Sequence, residues 1–200
     1  MPDFEGAKAY ALGWLEHELA PALTYHSLAH TRDEVLPAAE ALADDAGVSG
    51  EPLMLLRTAA VFHDIGFVTQ REGHEAAGVA IAKAVLPDFG YSPDQMAVIG
   101  DMVMATRLPQ SPRTLLESIL ADADLDLLGR EAYWTRHQDL RAEWAAFGLR
   151  MSDLEWYQNQ LSFLRGHEYF SRFARQRRDP QKQDNIRRLG AKIAECNGAT

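Results

Sequence analysis

The sequence predicts an all-α protein, a single-domain bundle of about eight or nine helices. Three observations lead there. Ala and Leu number 30 and 24 against 8 Val and 6 Ile, and alanine and straight-chain residues lose less freedom in a helix than β-branched ones do. No segment alternates apolar and polar residues at the period of two that a half-buried strand needs. Short Gly- and Pro-bearing stretches divide the chain into units of helical length, several of them preceded by capping residues.

The elements follow in order. "MPDFEGAKAYALGWLEHELA" carries acidic residues and no uninterrupted apolar core, so it does not resemble a secretory signal. "TYHSLAHTRDEV", Thr24 to Val35, reads as helix with His26 and His30 at i and i+4 on one face. Breaks are expected at "AGVSGEP" (46–52), "GFVTQREG" (66–73), "PDFGYSP" (87–93), "LPQSP" (108–112), Gly129, "FGLRMS" (147–152) and "DP" (179–180). Between the first two breaks, a rotation of about 100° per residue gathers Leu56, Ala59, Ala60 and His63 into one arc, so His63 belongs to a buried face. Ser92-Pro93-Asp94-Gln95 and Ser152-Asp153-Leu154-Glu155 have the form of capping boxes, the first with proline at the first helical position.

A chain of 200 residues buries enough surface to fold without a metal or disulfide, so any metal here would be functional. The single cysteine, Cys196, excludes a disulfide framework and a thiolate zinc site and fits a reducing, cytoplasmic setting. No apolar run approaches the roughly 18 residues of a membrane span. Residues 165–200 hold 9 Lys/Arg against 4 Asp/Glu, which leaves 11 against 25 in the first 164 and makes a net charge of −9. A basic tail on so acidic a body is expected to pair with that body rather than form a nucleic-acid surface.

The chemistry lies in three segments. His26 and His30 stand in the first. His63 and Asp64 are adjacent at the end of a second, apolar one, and "ILADADLDLLG" (119–129) supplies carboxylates on a third. Neutral imidazoles and carboxylates are ligands that a divalent cation of intermediate softness selects, and helices converging in a bundle core commonly hold such an ion. Periodicity does not choose between Asp122 and Asp124, which flank the arc of Leu115, Leu116, Ile119 and Leu120 on either side.

"YHSLAH", then "HD" 33 residues after its second histidine, then "ADADLD" resemble the HD superfamily of metal-dependent phosphohydrolases over about residues 20–130. The remainder, about 131–200, would be a helical C-terminal extension. The resemblance implies one divalent metal ion (Mn, Fe, Ni, Co, Zn or Mg) held by His30, His63, Asp64 and Asp124, with Asp64 also orienting water. Asp124 is chosen because relatives use the second aspartate of an Asp-x-Asp sequence. His26 matches a histidine that protonates the leaving oxygen in similar phosphodiesterases, although Ser27 stands where they have asparagine. "IGFV" after His-Asp departs from the stringent-response hydrolases. "GHEAAG" (73–78) resembles the element that brings a second-metal ligand in other relatives, but "MATR" (104–107) stands where paired histidines would complete that site. His74 is left to face the substrate, with Arg107, and less so Lys83, as phosphate contacts.

The function implied is hydrolysis of a phosphomonoester or phosphodiester of a nucleotide or other small phosphorylated metabolite, by a monomer or homodimer with no nucleic-acid or membrane partner. The rival is a catalytically silent regulatory module that keeps the metal or ligand site, since a fold never guarantees its chemistry. A purely structural bundle leaves His63-Asp64 on an apolar arc without a reason.

Overall fold

The computed structural model describes residues 2–198. Nine α-helices follow one another among them: α1 (Phe4–Glu18), α2 (Leu36–Asp45), α3 (Gly50–Phe62), α4 (His74–Val85), α5 (Pro93–Ala105), α6 (Leu115–Asp124), α7 (Tyr133–Ala146), α8 (Asp153–Gly166) and α9 (Arg172–Gly198). Short 3-10 turns follow α3, α4 and α6, and there is no strand among the described residues. Both expected capping boxes form. Ser92 and Ser152 accept from the backbone N–H of Gln95 and Glu155, whose side chains return to the serine N–H.

α3 runs through the centre, against α1, α2 and α5, while α5 also lies on α4 and α6. Leu56, Ala59, Ala60 and Phe62 from α3 meet Ile99 and Val103 of α5 and Ile119 and Leu120 of α6 in one apolar core. Leu128, Tyr133, Leu164 and Leu189 form a second cluster where α7, α8 and α9 meet. α9 is the longest helix among the described residues, and α8 packs along it.

Two expectations change. Asp179-Pro180 does not break the chain, because α9 continues through Pro180 from Arg172 to Gly198. Proline removes one helical hydrogen bond and crowds the preceding turn, yet the helix is anchored on both sides of it. Arg178 binds Asp126 at 2.5 Å, Lys182 donates to the His167 carbonyl, and Asn185 donates to the carbonyls of Leu128 and Arg130, both at 3.0 Å. Tertiary contacts here override a local breaker. The second change concerns His26, which lies in a bend before the helix and not on it. Ser27 explains the boundary: its Oγ accepts from His30 N–H at 3.4 Å, a helix-starting role natural to serine.

The basic tail pairs with the acidic body as expected. Arg177 binds Asp45, Arg178 binds Asp126 and Arg188 approaches Glu131. No helix among the described residues is long and apolar enough to cross a membrane.

Candidate metal centre

The helical run after Ser27 opens with a π-helical stretch, His30–Val35, before α2, a local widening frequently found at functional sites. It carries His30. The end of α3 carries His63 and the following residue Asp64, and the last residue of α6 is Asp124. One ligand atom each from His30, His63 and Asp124 lies within 4.8 Å of the others. Asp64 Oδ2 joins them at 3.2 Å from His63 Nε2 and 3.9 Å from His30 Nε2. His30 Nε2 and His63 Nε2 stand 3.3 and 3.5 Å from the same oxygen, Asp124 Oδ1.

His30 Nε2 and Asp124 Oδ1 share a hydrogen bond at 3.3 Å, but the other two inward atoms go unsatisfied. His63 Nε2 and Asp64 Oδ2 are both buried and neither makes a hydrogen bond. They are near enough for an ion pair but not aligned for one N–H to point at one oxygen. Buried polar atoms left this way are rare, whereas lone pairs aimed at a common point are what a cation needs. The ring tautomers agree. His63 Nδ1 meets the Ala60 carbonyl at 2.8 Å and His30 Nδ1 meets the Glu34 carboxylate at 2.9 Å. Since those oxygens can only accept, each Nδ1 carries a proton and each ring turns its Nε2 to the cluster, where an arriving ion would displace any second proton. Partners of this kind orient metal-binding histidines and raise their basicity.

Charge accumulates accordingly. Burial alone would lower the His30 pKa, but Asp124, Glu34 and Asp64 outweigh it and raise it to about 9. Burial opposes the charge on His63 as well, and Asp64 and Asp124 still hold its pKa well above the ordinary histidine value. Asp64, despite burial, is held well below the usual carboxylate range by His63 and His74, and burial of Asp124 is overcome by His30 and His63, leaving it at about 2. Two carboxylates ionised between imidazoles suit a divalent cation, which would take the place of the protons.

The other aspartates of "ADADLD" have different work. Asp122 accepts from the N–H groups of Phe170 and Ser171 at 2.7 and 2.8 Å, at the entry to α9. Asp126 is bound by Arg130 and Arg178. His74 approaches the second oxygen of Asp64, its Nε2 3.4 Å from Oδ1, while its Nδ1 donates to the Arg71 carbonyl. Its seat depends on glycine: a Cβ on Gly66 would lie 1.9 Å from the His74 carbonyl oxygen, so only glycine lets the 3-10 turn Ile65–Val68 lie so close to α4. Phe67 stacks between His74 and His26, with centroids 3.9 and 4.5 Å away. Arg107 follows α5 and Lys83 stands on α4, both exposed and outside the cluster.

Three residues that sequence reasoning passed over complete the surroundings. Glu143 of α7, wholly buried, accepts from His26 Nδ1 at 2.6 Å and from the N–H groups of Tyr25 and His26 at 2.9 and 3.0 Å. Glu34 supports His30 and is itself bound by Arg136 at 2.7 Å. Only the i, i+4 spacing of His30 and Glu34 was readable beforehand; Glu143 lies 117 positions from His26.

Fold and site together define an all-helical protein with a histidine–aspartate cluster able to hold a metal ion. The chain belongs to the HD-domain family, whose model, described as HD domain, matches residues 27–126. HD domains bind divalent metals, and His30, His63 and Asp124 lie close enough to hold one. Neither the curated proteins nor the solved structures gave a match.

Proposed function

We propose that the protein is a metal-dependent phosphohydrolase acting on a phosphate ester of a nucleotide or other small phosphorylated metabolite. The observation that carries this reading is the convergence of His30, His63, Asp64 and Asp124 with two of their inward atoms buried and unbonded. These four residues would hold one divalent ion, which supplies Lewis-acid activation of water and of the phosphoryl group. Asp64 keeps its other oxygen toward His74, so the pair can fix an attacking water by hydrogen bonds. His26 turns Nε2 away from its bond to Glu143 and serves as the acid that protonates the departing oxygen. Glu143 keeps that ring in one tautomer and orientation. His74 faces the substrate, and Arg107 is the candidate for an outer phosphate contact.

The substrate in this reading is small. A body of net negative charge, with Arg177, Arg178 and Arg188 of its tail drawn to carboxylates, offers little to a nucleic acid. A screen of nucleotides, sugar phosphates and bis-p-nitrophenyl phosphate, supplemented in turn with Mn, Co, Ni, Fe, Zn and Mg, tests the proposal. Metal-dependent release of phosphate or p-nitrophenolate is expected. Tight metal binding with no turnover on any substrate would instead make the protein a silent regulatory module.

A further inference from the structure

A cavity of about 420 Å³ opens beside the metal centre, within the roughly 300–1,000 Å³ that ligand sites span. His26 belongs both to its wall and to the ring stack over the metal cluster. The far walls come from α7 and α8, outside the stretch that matches the family. Its position is therefore continuous with the chemistry, while its far walls lie beyond the family-matched stretch.

The lining has one consistent property. Leu127, Leu128, Leu140 and Phe163 make it apolar, Tyr25 and Trp144 add flat rings, and no Lys, Arg, Asp or Glu takes part. Besides Tyr25 and His26 on the side of the metal cluster, its polar groups are Tyr133, His137, Asn159, Gln160 and Ser162, none of them charged. His137 is no exception: burial, aided by the charge of Arg141, lowers it to about 4. Its Nδ1 accepts from Trp156 Nε1 at 2.9 Å, so the uncharged ring carries its proton on Nε2. Tyr133 donates to Gln160 Oε1 at 3.1 Å and Gln160 donates to Asn159 Oδ1 at 3.3 Å, which orders a row of amides along one wall.

The arginines around its α7 wall are committed elsewhere, and Arg107, beside Leu108, is exposed and outside the lining. Arg130 binds Asp126, Arg136 binds Glu34 and Asp139, and Arg141 binds Asp153. A second or third phosphate pushed past His26 into this space would lose its hydration and meet no Lys or Arg in the lining, an expensive burial. An uncharged planar ring would instead find flat side chains above an edge of amide donors and acceptors. A side-chain amide is suited to the paired donor and acceptor of a base edge.

We propose that this cavity receives the uncharged heterocycle of a nucleoside, so that the substrate is a nucleoside ester of a single phosphoryl group and not a polyphosphate, with Asn159 and Gln160 selecting the base. The inference rests on the phosphohydrolase reading for where the phosphate lies, but the binding of the ring needs no turnover.

Trp144 in the wall provides the signal. Tryptophan fluorescence of the full chain is titrated with adenosine, guanosine, cytidine and uridine, and with ribose 5-phosphate and inorganic triphosphate as charged controls. At least one nucleoside should bind saturably at or below about 1 mM, and neither control should bind in the cavity. Asn159→Leu should weaken that nucleoside about tenfold, the worth of a lost hydrogen bond. Ser162→Trp, at an exposed position of the wall, should block it while the far-ultraviolet circular dichroism stays unchanged. Failure of every nucleoside to bind, undiminished binding to Ser162→Trp, or preference for triphosphate would overturn the inference. Nucleoside binding without any phosphoester turnover would sink the phosphohydrolase reading alone, and turnover without nucleoside binding would sink the cavity assignment alone.

Discussion

His26 and His30 face each other with ring centroids 6.2 Å apart, yet they are built for different work, and substitution separates them. His30→Ala should lose bound metal and activity together, because affinity follows the number of ligands; metal analysis of the purified variant checks this. His26→Ala should retain its metal while the rate falls by about 10²- to 10⁴-fold. The loss should shrink for p-nitrophenolate esters, whose leaving group needs little protonation. Glu143→Gln keeps an oxygen for the two backbone N–H groups but gives up the carboxylate that grips His26 Nδ1. A fall in kcat of about 10- to 100-fold with KM nearly unchanged is expected. An equal loss on good and poor leaving groups would mean that Glu143 only supports the fold. At this scale the sequence was legible where residues of the cluster sit beside each other, as in His63-Asp64, or in a recognisable motif, as in "DADL". It was silent about Glu143, since a lone glutamate on an amphipathic helix reads as a solvated charge until the fold brings it to a histidine.

Among elements, legibility followed the range of the forces involved. The capping boxes at Ser92 and Ser152 are local hydrogen-bonding patterns, and both form as read. The expected break at Pro180 fails because α9 is held by Asp126, Leu128 and Arg130, partners some 50 positions away that no window on the chain contains. The bend at His26 was hidden for the same reason, its backbone being tied to Glu143. Where the 3-10 turn Ile65–Val68 meets α4, approach is so close that a methyl group has no room. Gly66→Ala should therefore destabilise the protein by about 2 kcal/mol or more, as overpacked sites do. It should also disturb His74 before the metal ligands. Urea unfolding, set beside metal affinity, measures both effects; unchanged stability would mean that the turn yields freely.

For the molecule as a whole, acid sensitivity should have two stages. His137 and His167 are each lowered to about 4, in both cases first by burial and then by a nearby cation, Arg141 or Lys182. Unfolded, they would take up protons near the ordinary value of about 6.5. The unfolded state thus binds more protons between these values, and stability should decline as pH falls from about 6.5 toward 4. A second loss belongs to carboxylates such as Glu34 and Glu143. Burial would raise both; ties to His30 and Arg136 in the first and to His26 in the second hold them below the usual range. Their contribution persists until the pH falls through that lowered range. Urea midpoints across pH 3 to 8 test the order, and His137→Asn should flatten the upper stage. The same charge distribution predicts negligible binding to random duplex DNA at physiological salt; submicromolar affinity with a steep salt slope would contradict it. Helix content, a buried core and the acidic body with its paired tail were all legible from composition. The cavity between α7 and α8 was not, because neither helix displays a motif and the space exists only between them.

Asp122 and Asp124 stand two positions apart at the end of α6, about 200° around the helix axis from each other. One carboxylate fastens the entry to α9 and the other joins the metal cluster. Mechanically, the end of α6 is a short rigid crank with a load on either arm. A load applied to α9, for example by an optical trap pulling on its end, would reach Asp124 through Asp122 across roughly half a helical turn. Metal affinity should therefore respond to a load on α9 through these two carboxylates.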